Sequence, residues 1–554
     1  MASPAEPRKP SPEERDNYYF GLAGTPKLIA RTSCNPWVKQ TRVEEGWNQS
    51  IHVPIRKEYD TVDIESDIVA KWSPELVEQL ICSLRGCEWS FFFPIRIGLE
   101  RTIRDSSDFP TILLIAVEDG TLSWDEGINI ALGCREVLRL HNIGDVEVEI
   151  REGRCHNLAA SVELEGLVNP ARGFDEFNKT LLPLLSFPGY PVTYSENRRG
   201  QGTMGLHIKL QGDDSVYGLT CRHVVHRDRP AKESYKFSPE SEPEYHAQAT
   251  TETIQDVQYC LGKEIKRMSS YISELATEKQ RWEDWYHLDE SKSHLRPTEK
   301  ELQALDWLND EVAYVKKFID PLERIEDKDA RKIGQLMFHS PLEFSAHQKG
   351  YLKDWALIKL DECKFPESPK NAVFVGAASL DGSNHDADSE FRAWLRFSKK
   401  DENGFLSLRK SYVSLRKKMI VCKRGATTGL TLGKKNAVEA VIRKPAGLEG
   451  DQYAWQMIII PLHGRFSAAG DSGSCVFDSQ GRIVGLLSSS DDKGDWLRDG
   501  RRRYPGENIS PRRVDKDDGR LEPIPDGMDI TFVDPIQWVF DDIERFTSRK
   551  VELA

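Results

Sequence analysis

From Val192 to its C-terminus the chain repeats one pattern: short alternating apolar segments separated by Gly, Asp and Asn turns. Residues 205–210, 216–220, 333–338, 356–360, 438–442, 455–460 and 482–487 are examples. A period of two puts alternate side chains on opposite faces of a sheet, and many short strands bury those faces only by sandwiching or by closing into a barrel. The region from 191 to the end is therefore expected to be a β-barrel or sandwich.

One long interruption breaks the pattern, over residues 227–329. Ile254, Val257, Leu261, Ile265, Met268, Ile272 and Leu275 step by three and four, the spacing of a helical seam. Pro297-Thr298 with Glu301 starts a second helix carrying Leu302, Leu305, Val312, Val315 and Ile319. The simplest packing is an antiparallel, coiled-coil-like hairpin, which either closes on itself or serves as an arm for self-association or a protein partner. Excising about 251–320 is expected to leave the β region folded.

The first half reads differently. Residues 1–25 are Pro-rich and charged and are expected to be disordered. Ser73-Pro74 gives an N-cap and first-turn proline ahead of Leu76, Val77, Leu80 and Ile81. Residues 89–97, 111–117 and 146–150 read as strands, and Ser123 with Glu126 makes a capping box for a helix through Ile130, Cys134 and Leu138. This strand and helix order marks residues 26–165 as a small α/β domain, regulatory or a pro-domain. A Pro/Gly-rich linker over 166–190 follows, a cleavable hinge at which self-processing would release the α/β domain's restraint.

Composition removes several classes of function. At 554 residues the chain exceeds one core, and no run of about 18 to 20 apolar residues is present to span a membrane. The N-terminus lacks the apolar stretch of a secretory signal, so a cytoplasmic location is expected, with the nucleus as alternative. A net charge of -13 and a mean hydropathy of -0.54 describe a richly charged surface without the basic excess of a nucleic-acid binder. The basic stretch Arg501–Arg503 with Arg512 and Arg513 reads as a solvated loop before a nuclear-import patch. Ten cysteines are scattered without zinc spacing and are expected to be free thiols, and no cofactor or metal is indicated.

The strongest chemical signal is Gly470-Asp471-Ser472-Gly473-Ser474 between two apolar strands. Small neighbours let a substrate backbone approach a serine, and glycine lets the turn aim two N–H groups, of Gly470 and Ser472, at one oxyanion. An apolar strand at 216–220 leads to His223, and Asp354 immediately precedes another at 356–360. Taken singly, such a histidine or aspartate is more often structural. Cys221 and Cys475, also near these motifs, are expected to face the core.

Together, Arg222-His223-Val224-Val225, Asp354-Trp355-Ala356-Leu357 and Gly470-Asp471-Ser472-Gly473, in this order, resemble the trypsin/chymotrypsin-like serine peptidases, in particular the branch without disulfides. The resemblance covers residues 191–226 and 330–548. It implies a trypsin-like double β-barrel carrying the helical insertion and preceded by the α/β domain, a multidomain α+β chain. It also implies a serine endopeptidase acting on protein or peptide substrates, with Ser472 as nucleophile, His223 as general base and Asp354 orienting the histidine. Residues 483–486 would line the specificity pocket and 535–546 form the closing helix. Phe466, six positions before the serine, would stand at the base of the substrate pocket, with only Ser467, Ala468 and Ala469 following it. That predicts small or apolar side chains over Lys and Arg before the cut bond. Arg222 and Ser474 depart from residues common at their positions, and no Ile-Val-Gly-Gly activation site begins the domain. The competing expectation is a catalytically silent peptidase fold that serves as a scaffold through the α/β domain and helical arm.

Overall fold

The computed structural model describes residues 6–45, 50–100, 108–157, 187–194, 201–225, 233–237, 246–248, 332–345, 350–365, 368–375, 397–401, 405–411, 419–443, 453–491 and 527–554, with Ser273, Thr277, Gln280 and Trp394. The two apolar seams of the expected helical arm, the basic stretch from Arg501 and most of the linker lie outside these residues.

The first third builds one side of a large sheet. Its strands are β1 (Leu28–Arg31), β4 (Lys57–Asp60), β5 (Trp89–Leu99), β6 (Thr111–Val117), β7 (Glu147–Glu152) and β8 (His156–Asn157), while β2 (Thr41–Glu45) and β3 (Ser50–Pro54) pair only with each other. Two helices cover it. Ser73 caps α3 (Pro74–Ser83), and the Ser123/Glu126 capping box starts α4 (Trp124–Leu140), after the short α1 (Pro12–Asn17) and α2 (Asp67–Lys71). The apolar stripes of α3 and α4 bury Leu76, Val77, Leu80, Ala131, Cys134 and Leu138 against this sheet.

Within the segment expected to be disordered, residues 6–25 are ordered. Ser11 caps α1, and Tyr19 and Leu22 are fully buried with Phe91, Phe93 and Phe532. Proline and charge dominate only the first dozen residues; averaging them with Tyr18, Tyr19 and Leu22 hides the apolar anchor.

The middle of the chain forms a second sheet of nine strands. In sequence these are β9 (Pro191–Tyr194), β10 (Gln201–Thr203), β11 (Leu206–Leu210), β12 (Tyr217–Thr220), β13 (Tyr235–Lys236), β14 (His246–Gln248), β15 (Lys332–His339), β16 (Ala356–Leu360) and the C-terminal β25 (Val551–Leu553). Strands β13 and β14 thus bring the leading part of the 227–329 insertion into this sheet. A small pair, β17 (Ala372–Phe374) with β18 (Phe405–Ser407), stands apart.

The remaining strands close on themselves. β20 (Gly429–Arg443) pairs β19 (Met419–Gly425), which pairs β22 (Cys475–Asp478), then β23 (Ile483–Ser490), β24 (Thr531–Pro535), β21 (Tyr453–Pro461) and β20 again, a closed six-stranded barrel. Closure removes exposed edges and encloses Val421, Met457, Ile459, Val476 and Leu487. The helix expected at the C-terminus is α6 (Ile536–Thr547), and a one-turn helix, α5 (Arg222–Val225), follows β12.

The N-terminal sheet and the barrel share one ladder, because Phe91 and Phe92 of β5 pair with Ile442 and Val441 of β20. Ala437, Val438, Val441 and Trp455 of the barrel also enter the core under α3 and α4. Among the described residues no helix is long and apolar enough to cross a membrane.

Candidate active site

Three separate elements deliver His223, Asp354 and Ser472 to one point. His223 sits on α5 just after β12, Asp354 just before β16, and Ser472 on the turn leading into β22. β12 and β16 are adjacent antiparallel strands, with Thr220 opposite Ala356, so the residues beyond their paired ends meet. Asp354 Oδ2 lies 2.5 Å from His223 Nδ1, and its Oδ1 accepts from the His223 backbone N–H at 3.0 Å. His223 Nε2 lies 2.8 Å from Ser472 Oγ. Ser472 Oγ is also 3.0 Å from the carbonyl oxygen of Ser488 in β23. All three residues are buried.

Burial pushes the Asp354 carboxyl up, but His223, two hydrogen bonds from it and the nearby Arg222 charge outweigh that, and it sits below its ordinary value. The carboxylate is therefore available to accept from Nδ1, which leaves Nε2 facing the serine hydroxyl. Arg222 is itself buried, its Nε within 3.3 Å of His339 Nδ1.

The turn around Ser472 is fixed from several sides. Gly470 has φ 103° and Gly473 φ 90°, a region open to glycine, and a Cβ on Gly473 would stand 2.3 Å from the Thr203 carbonyl oxygen. Thr203 of β10 donates through Oγ1 to Gly470 O at 2.9 Å and through its N–H to Ser472 O at 2.7 Å. The N–H groups of Gly470 and Ser472 donate to no protein acceptor among the described residues. Buried donors without partners are costly, so a pair of them beside a serine hydroxyl is a place for an oxyanion.

Asp471 faces the other way, into the barrel. Its carboxylate accepts from Lys423 Nζ at 3.0 Å, from the N–H groups of Thr427, Thr428 and Ala468, and from Thr428 Oγ1. Neither the Lys423 nor the Asp471 side chain has exposed surface. Thr428 Oγ1 also takes a bond from Lys423 Nζ. The β19–β20 hairpin thus clamps the residue preceding Ser472. Neither Lys423 nor Thr203 was singled out in the sequence, since Lys423 looks like an ordinary polar position in a strand and Thr203 lies 267 residues from its partner Gly470.

Phe466 has no exposed surface and packs among Val421, Met457, Ile459 and Val533 inside the barrel. The fold also brings it a carboxylate from 63 residues away: Asp529 accepts from the Phe466 N–H at 2.7 Å. The same side chain accepts from the Ser467 N–H and hydroxyl and from Thr531 Oγ1, so protein donors already occupy it. Burial raises it from 3.8 to about 6.

Cys221, His223 and Asp354 hold potential ligand atoms within 4.8 Å of one another. The group suits a metal poorly, because both imidazole nitrogens are engaged and the Cys221 thiol donates to Leu487 O at 3.3 Å, with burial pushing it far from the thiolate form. Cys475 is likewise buried, and the cysteines among the described residues are all free thiols.

No protein-family model matches the sequence, and no curated protein does. Among solved structures, the chain is similar to a glutamic acid specific serine protease that uses a histidine triad in substrate binding, at TM-score 0.27 and 10% identity over 66% of this chain and 100% of that one. It is similar also to the chymotrypsin of Cellulomonas bogoriensis, at TM-score 0.26 and 10% identity over 67% of this chain and 99% of that one. Likeness at this level assigns no family, and the reading of the site rests on its own side chains.

Proposed function

We propose that this chain is a serine endopeptidase. The observation that carries the reading is the hydrogen-bonded line from Asp354 through His223 to Ser472, with spacings of 2.5 and 2.8 Å. Ser472 Oγ attacks a peptide carbonyl while His223 Nε2 takes its proton, and Asp354 holds the imidazole tautomer and stabilises the cation that forms. The N–H groups of Gly470 and Ser472 receive the oxyanion. The leaving amine takes the proton from His223, and water, deprotonated by the same nitrogen, releases the acyl group from Ser472.

A fluorophosphonate probe tests this, because it reacts only with an activated hydroxyl. The full chain should be labelled, Ser472→Ala and His223→Ala should not, and Asp354→Asn should slow labelling by about 10⁴-fold through the wrong tautomer. Labelling that persists in Ser472→Ala, or a wild type that stays unlabelled under conditions where it is folded, sinks the assignment.

A further inference from the structure

Three segments follow one another along one edge of β23. β22 pairs with it as far as Leu486. The turn that carries Ser472 takes over at Leu487, whose carbonyl accepts from the Gly473 N–H at 2.8 Å and whose N–H donates to Ser474 O at 2.9 Å. Past that turn β8 joins antiparallel, with Asn157 opposite Ser489 and His156 opposite Ser490. β24 fills the other edge up to Ser490, so β8 lies on the same edge as Ser472. Between the turn and β8 stands Ser488, whose carbonyl oxygen is 3.0 Å from Ser472 Oγ. Ser488, Ser489 and Ser490 are all buried. An extended peptide held as an added strand is a general way to present a backbone, and a peptide presented to Ser472 in that way pairs along Ser489 and Ser490, within roughly 7 Å of Ser488.

The N-terminal sheet brings β8 to this edge. Arg151 Nη2 of β7 and Asp491 Oδ2, just beyond β23, form a fully buried pair at 2.6 Å. The Cys155 thiol donates to Ser489 Oγ at 3.1 Å, and the Cys155 N–H to Ser90 Oγ of β5 at 2.9 Å. β8 itself is only two residues long, and Asn157 is exposed. So short a strand with an exposed end opens locally at a much lower cost than the unfolding of β5 or β7 behind it.

Building on the serine-peptidase reading, we infer that β8 is a built-in competitor of the substrate. It occupies the backbone positions that the acyl side of a peptide needs, and the chain cuts extended peptides from the minor population in which β8 has left the edge. No bond of the chain itself is broken. A competitor within the same molecule raises KM by the inverse of the open fraction and leaves kcat unchanged, because a saturating peptide draws the whole population into the open form. A small electrophile that reaches Ser472 without pairing along β23 does not compete with β8.

Hydrolysis of fluorescence-quenched octapeptides, with Ala, Val, Leu or Phe before the cut bond, by the full chain tests the inference. For the octapeptide cut fastest, Asn157→Pro, which removes an N–H and restricts His156 before it, should lower KM about five- to tenfold at unchanged kcat. Cys155→Ala keeps the backbone and removes only the thiol held at Ser489; it should lower KM about twofold, and it decides the matter if the proline variant does not fold. Fluorophosphonate should label all three chains at equal rates. A wild type that cuts no octapeptide beside a variant that does also supports the inference. Equal KM values in all chains, a change confined to kcat, a labelling rate that rises with peptide turnover, or octapeptides left uncut by every chain overturns it. Labelling reads the peptidase assignment separately: chains that are labelled while KM stays fixed defeat the role of β8 alone, and chains that are unlabelled defeat both.

Discussion

With no solvent at either side chain, Lys423 and Asp471 depend on each other and on the Thr427, Thr428 and Ala468 donors around them. A charge left alone in such a place is far more costly than the pair is stabilising. Lys423→Met is therefore expected to lower the free energy of unfolding by about 3 to 5 kcal/mol, measured by urea titration. It should slow fluorophosphonate labelling as well, since the next N–H along the turn is that of Ser472. Asp471→Asn added to Lys423→Met should recover part of the stability, the carboxylate being gone. A Lys423→Met chain within about 0.5 kcal/mol of wild type contradicts this account. The sequence could not display the pair. The Gly-Asp-Ser-Gly turn stands out because each residue there is constrained by its neighbours, whereas Lys423 is constrained by a carboxylate 48 residues away.

Among elements, β24 is the most unusual in charge. It carries Asp534, and Asp529 lies just ahead of it, both buried, with Gln456 donating to Asp534 and the Phe466 N–H to Asp529. Burial lifts Asp534 from 3.8 to about 7, helped by the charge of Asp354 and opposed by its bond from Gln456. A folded-state value above the unfolded one means that the folded chain holds the proton more tightly. The stability Asp534 contributes is thus complete below 3.8 and is lost as pH rises through about 7. Asp534→Asn keeps an acceptor for Gln456 and cannot ionise, so its unfolding free energy should fall less than that of wild type between acid and alkaline buffers. Parallel urea titrations decide it, and equal slopes for both chains remove the argument. Elements with their own pattern were readable: β6 falls on 111–117 as expected, and the capping box of α4 is present at Ser123 and Glu126. β8 was not, because a two-residue strand has no period and takes its conformation from the edge it joins. His223, expected at a strand end, is instead on the one-turn α5, where the chain turns back after β12.

At the scale of the whole molecule, the first third and the barrel are one sheet, joined through β5 and β20 and sharing the core under α3 and α4. Periodicity located the two sets of strands but carried no sign that they would pair, since Val441 and Phe92 look like the interior of separate units. Residues 158–554 produced alone should aggregate, because Val441 and Trp455 would lose their cover. The same segment produced together with residues 1–157 should be soluble and should co-purify with it in native size exclusion. Soluble, monodisperse 158–554 on its own would show that the shared sheet is dispensable. The pairing of β8 with β23 also sets an order in time. Synthesis runs from the N-terminus, so His156 and Asn157 leave the ribosome before Ser472 is made, by roughly 15 to 60 s at bacterial or eukaryotic elongation rates. The strand that fills the β23 edge exists before the Ser472 turn beside it, and a newborn chain passes through no interval in which that turn is complete and its own strand has yet to be made.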